Sequence, residues 1–202
     1  MNFKKNSKKI KDFIFKNYLE CWKYIKSCKI QISLVVGLFF LFSIIGFFVP
    51  APENLVTFIL DYIRELLEQT KDMSVFELIS FIFLNNLQAS LIGVIFGIFF
   101  GIFPIILSIF NGYLLGFVVS MVFEQEGFFS LLSLFPHGIF ELPAVFISLG
   151  FGLKIGSFLF QKNKLEFLKK NISHALMVFL LVVVPLLIIA SIIEGTFIFA
   201  FK

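Results

Sequence analysis

The sequence predicts an all-α polytopic membrane protein of about five transmembrane helices. Three observations lead there. Of 202 residues, 59% are hydrophobic and only 15% charged, with 32 phenylalanines, against roughly 25% charged in ordinary soluble domains. The mean hydropathy is +0.99, more apolar surface than one soluble core of this size can hide. Finally, the apolar residues fall in stretches long enough to cross about 30 Å of hydrocarbon, with the lysines gathered beside alternate ends. This composition excludes a secreted disulfide scaffold, a coiled coil, a disordered chain and a large soluble domain.

Residues 1–29 carry nine lysines, with Phe13, Ile14, Tyr18, Trp22 and Ile25 recurring among them at helical intervals. They read as a basic amphipathic helix on the cytoplasmic face of the membrane. The apolar run that follows is too long for a signal peptide. Cys21 and Cys28 lie two turns apart, about 10 Å, beyond disulfide reach, and read as free thiols on one helix face.

Residues 30–195 read as a single transmembrane domain. Ile30–Val49 is twenty residues without a charge, ended by Pro50-Ala51-Pro52. Residues 53–77 hold six acids and two bases, with Leu55, Phe58, Ile59, Tyr62, Ile63, Leu66 and Leu67 at i, i+3, i+4, i+7 spacing. That pattern predicts an amphipathic helix on the outer face. Ser74-x-x-Glu77 is a capping box for the next helix.

Leu78–Phe123 has no charge for 46 residues, enough for two spans, expected at about 80–102 and 104–123. The break falls between Gly101 and Asn111. Gly93, Gly97 and Gly101 form a G-x3-G-x3-G ladder, a helix-packing face used within the protomer or between protomers. A homodimer through this face is the favoured assembly. A half-inserted or surface segment is expected near 128–136, then a span over 138–160, a basic loop over 161–173 and a last span over 174–193 kinked at Pro185. Residues 196–202 are a short tail.

With the N-terminus and the basic loop inside, fourteen Lys/Arg lie inside and three outside. This asymmetry predicts a plasma-membrane protein with a cytoplasmic N-terminus and an external C-terminus. It also accounts for the net charge of +4 without a nucleic-acid partner.

Polar side chains inside spans are costly and therefore informative. They are Asn85, Asn86, Gln88, Asn111, His137, Glu141 and His174. His137 and Glu141 share a helix face one turn apart, behind Pro136 at a helix start, with Gly138 between them leaving the backbone open to a neighbour. The plain reading is a buried polar clamp in which the amides satisfy Glu141 and tie the second span to the fourth. The functional alternative is a proton or ion site at Glu141 with His137. A metal site needs three or four ligands, and His174 lies near the opposite face, so neither metal nor cofactor is expected. No H-E-x-x-H, G-x-S-x-G or paired aspartates point to an enzyme.

Leu84-Asn85-Asn86 with Ala89, the glycine ladder, Asn111-Gly112 with Gly116, Pro136-His137-Gly138-Ile139-Phe140-Glu141-Leu142-Pro143-Ala144, Gly150 with Gly152, and Ile193-Glu194 occur in that order. From about 78 to 195 the chain resembles the stage II sporulation protein M family of integral membrane proteins. The P-H-G-x-x-E-L-P-A block is the most specific feature. The resemblance implies a non-enzymatic membrane scaffold or assembly component. In spore formers such a protein anchors a complex with peptidoglycan-degrading partners during engulfment. Asn85, Asn86, Asn111, His137, Gly138 and Glu141 match the family pattern. The second functional expectation, from the residues themselves, is a small homo-oligomeric permease or channel. The expected partners are the bilayer, further copies of the chain and other membrane or envelope proteins.

Overall fold

The computed structural model describes residues 2–49, 51–127 and 135–200, with side chains from residue 15 onward except at 126 and 135–137. The described residues are almost entirely helical. Five helices are long and apolar enough to cross a membrane: Lys29–Phe48, Val75–Ile98, Ile102–Gln125, Gly138–Phe160 and Lys164–Ala200. The expected segment near 128–136 falls mostly on 128–134, outside the described residues.

Helix α1 (Asn2–Ser27) leads into α2 (Lys29–Phe48), the first span. Helix α3 (Glu53–Thr70) follows, with Pro52 at its N-cap, where a missing N–H costs nothing. Ile59 is its one buried residue, while Phe58, Tyr62 and Leu67 stay exposed. Helix α4 (Val75–Ile95) opens on the expected capping box: the Ser74 amide donates to the Glu77 carboxylate at 2.8 Å.

A 3-10 turn, Phe96–Ile98, ends α4, and the chain reverses at residues 99–101 into α5 (Ile102–Glu126). Phe100 and Gly101 both take positive φ, 59° and 72°, the left-handed region that closes tight turns. The break therefore sits at the start of the expected window. Asn111 and Gly112 lie inside α5, because neither breaks a helix whose neighbours are all apolar.

Small residues lock the spans together. A Cβ on Gly112 or Gly116 would land on the carbonyls of Phe39 or Ser43, and one on Gly46 would land on Tyr113. Ser108 continues this row, donating its hydroxyl to the Val35 carbonyl at 2.8 Å. Thus Ser108, Gly112 and Gly116, four apart, let α5 lie backbone to backbone against α2. Helix α6 (Phe135–Gly156) packs against α2, α4, α5 and α8. Its Ala144, Ser148, Gly152 and Gly156 are also four apart, and all are buried.

The Gly93/Gly97/Gly101 ladder meets this second row. A Cβ on Gly97 would strike the Gly152 backbone, one on Gly93 the Leu149 side chain, and one on Gly101 the Leu153 side chain. The ladder is thus filled within the chain and cannot serve as the expected dimer face. Nor is it one helical face, since α4 ends at Ile95 and Gly101 lies in the turn.

The last span is one uninterrupted helix: α7 (Lys164–Val178), a π turn (Phe179–Val183) and α8 (Val184–Ala200). The expected 161–173 loop shrinks to residues 161–163. Asn163 and Glu166 sit at N-cap and N3, the Phe167 amide donates to the Asn163 carbonyl at 3.0 Å, and no Pro or Gly follows to break the turn. Pro185 lies just beyond the π turn, in which the Val184 amide reaches back five residues to Phe179. The wider turn relieves the crowding a proline ring imposes on the preceding turn.

Candidate functional site

The intramembrane polar residues separate into two groups. Glu141 lies in the second turn of α6, half-buried. Helix α6 packs along α8, and there Glu141 comes close enough to Glu194 for the two charges to interact. Glu194 is half-buried, and its Oε2 is enclosed without a hydrogen-bond partner among the described residues. A carboxylate pair in a poorly hydrated site can take up a proton or a cation between its members. The backbone of His137 lies one turn before Glu141, and its side chain is outside the described residues. A Cβ on Gly138 would meet only Leu142 of its own helix, so this glycine admits no neighbour among the described residues.

The amides form the second group. The contacts of Gly93 with Leu149 and of Gly97 with Gly152 set the register of α4 against α6. Carried back along both helices, that register leaves Glu141 within about one turn of Asn85 and Asn86 in depth. Yet no hydrogen bond among the described residues joins them. Asn86 is half-buried, while Asn85 and Gln88 are exposed on the outer side of the bundle. Asn111 is also exposed, and its amide donates to the Leu107 carbonyl of its own helix at 2.8 Å. The expected clamp between the second and fourth spans is replaced by the glycine contacts, because α4 turns its small residues, not its amides, toward α6.

Sequence reasoning left Glu194 out of the site. It is the acid that ends the apolar run from Ala175, and it was visible only as part of the Ile193-Glu194 element of the family pattern.

A third polar cluster lies where α1 docks on α7. The Tyr24 hydroxyl donates to the backbone carbonyl and side-chain Oδ1 of Asn171, each 3.1 Å away. Its ring lies 5.0 Å from Phe151 and 5.2 Å from His174. Cys21 on α1 and Cys28 at the turn into α2 are free and buried beside it. Burial pushes both thiols and the Tyr24 hydroxyl above their ordinary values. His174 is half-buried and donates Nδ1–H to the Lys170 carbonyl at 2.7 Å. It faces an open cleft with Glu20, Lys23 and Tyr24. Among the described residues, no three His, Cys, Asp or Glu side chains are placed to hold a metal ion.

Five apolar helices locked by small residues, with carboxyl side chains on the neighbouring spans α6 and α8, define a polytopic α-helical integral membrane protein. The family model described as Stage II sporulation protein M matches residues 35–197. The chain belongs to that family. No curated protein and no solved structure matches it.

Proposed function

We propose that the protein is a non-enzymatic membrane scaffold or assembly component of the plasma membrane, with its N-terminus in the cytoplasm. The observation that carries this reading is a closely packed bundle presenting a helix at each face. Helix α1 is fixed to α7 through Tyr24 and Asn171, yet Phe15, Tyr18, Leu19 and Trp22 remain exposed. Helix α3 offers Phe58, Tyr62 and Leu67 at the other face among exposed acids. Family membership supports the same reading. The test is reconstitution. A scaffold alone in proteoliposomes passes no proton or alkali-cation current, and Phe58→Ser/Leu67→Ser abolishes its cellular function at unchanged membrane abundance. Function retained by that variant would count against the presented-helix reading.

One observation favours a second reading, a small permease or channel: the enclosed Glu194 oxygen near Glu141, without a hydrogen-bond partner among the described residues. It predicts a cation or proton flux in the same vesicles, lost in both Glu141→Gln and Glu194→Gln while the fold survives.

A further inference from the structure

Most side chains that the bundle leaves exposed along its spans are apolar, as lipid requires. Asn85 and Gln88 depart from this. Both are exposed on α4, one turn apart, and each lies about 15–20 Å along the helix from either end of the Val75–Ile98 span. At that depth neither headgroups nor bulk water reach them. Neither has a hydrogen bond among the described residues. Asn111 is exposed in the middle third of α5. It lies on the helix face of Leu107, which reaches the Gly93 position on α4, so it borders the same side of the bundle.

We propose that this amide-bearing face of α4 and α5 is the contact surface for a second copy of the chain. Copies inserted by the same route share one orientation, so the axis of a closed dimer runs along the membrane normal. Such an axis brings like residues together at like depth. A carboxylate or an ammonium would then face its own charge. An amide is different, because it both donates and accepts. Asn85 can therefore pair with Asn85 of the second copy, and Gln88 with its counterpart one turn along. The surrounding face suits the approach. Ser80 and Ala89 are small and exposed beside Leu84, and no charge occurs from Leu78 to Phe123. The glycine ladder, filled from within by α6, does not compete for this role. The inference holds under either functional reading above.

The experiment uses the full chain in lipid vesicles. Donor- and acceptor-labelled copies are mixed over a range of lipid-to-protein ratios and association is read by energy transfer. The wild type should dimerise. Asn85→Leu/Gln88→Leu, which makes the span more apolar and leaves the packed faces untouched, should weaken association about tenfold, corresponding to about 1.4 kcal/mol. Asn85→Gln should retain it. As a second readout, Gln88→Cys should form a disulfide-linked dimer on oxidation, while Ile192→Cys on α8 should not; the two native thiols are buried. Single copies at every density would overturn the proposal and leave lipid or a different protein as the occupant. Dimers that are indifferent to the double leucine variant would also overturn it.

Discussion

Two glycines on facing helices separate the structural use of this residue from its tolerance. Gly37 on α2 has nothing within reach of an added Cβ, whereas one on Gly112 would meet the Phe39 backbone. Gly37→Ala should leave the melting temperature unchanged or slightly raised, since alanine favours a helix by about 0.5–1 kcal/mol. Gly112→Ala should lower it, by roughly the 1–3 kcal/mol that overpacking costs. Equal effects in detergent melts would contradict the backbone contact. The buried residues at the end of α1 and the turn into α2 give a pH prediction. Cys21, Cys28 and Tyr24 all have raised ionisations, caused first by burial, so the docked helix favours their neutral forms. The resulting stability is complete below the ordinary thiol value of about 8.5 and is lost as pH rises into the raised range. Alkylation of the two thiols should therefore stay slow at pH 8 and accelerate above it more steeply than for a free cysteine. A profile matching a free thiol would rule the docking out. At this scale the sequence was informative about type and less so about partner. The spacing of Cys21 and Cys28 was enough to read two free thiols, although α1 ends at Ser27 and Cys28 caps α2 instead of sharing the α1 face. Nothing in the run around Asn85 says which way α4 is turned, because both sides of that stretch are apolar.

Among the elements, α7–α8 departs furthest from expectation. Its 37 residues are about 55 Å long, well beyond the hydrocarbon thickness. The excess lies at its basic N-terminal end, where Asn171 receives Tyr24 and Lys154 sits 5.8 Å from the Phe167 ring. Leu165→Cys should accordingly react with a water-soluble maleimide while Leu180→Cys should not, although both side chains are exposed on the protein. Labelling of both, or of neither, would refute this placement of the helix. The lysines at 162, 164, 169 and 170 suggested a loop because high polarity without strict periodicity reads that way. Leu165 and Leu168 among them were the signal of a continuing helix. The capping box at Ser74 and Glu77, by contrast, could be read directly, since it depends only on local chemistry.

For the whole molecule, five spans and their chain order followed from composition and charge, whereas the pattern of contacts did not. The rows Ser108/Gly112/Gly116 and Ala144/Ser148/Gly152/Gly156 were present in the sequence at four-residue spacing, but a row of small residues does not name the helix it meets. The Gly93/Gly97/Gly101 row shows the consequence. Because α6 fills it, Gly97→Leu should abolish the folded, monodisperse protein rather than release monomers from a dimer. A stable, fully helical monomer from that variant would contradict the α4–α6 contact.

The pairing of α2 with α5 also bears on biogenesis. The surface of α2 around Gly46 is shaped for a helix that has not yet been made when α2 leaves the ribosome. At about 5–20 residues per second, the α5 sequence follows on the order of ten seconds later. During that interval α2 waits in the bilayer with its groove open to lipid. A nascent chain arrested before Ile102 would present that unfilled groove to the quality-control proteases of the membrane, and one arrested after Glu126 would not.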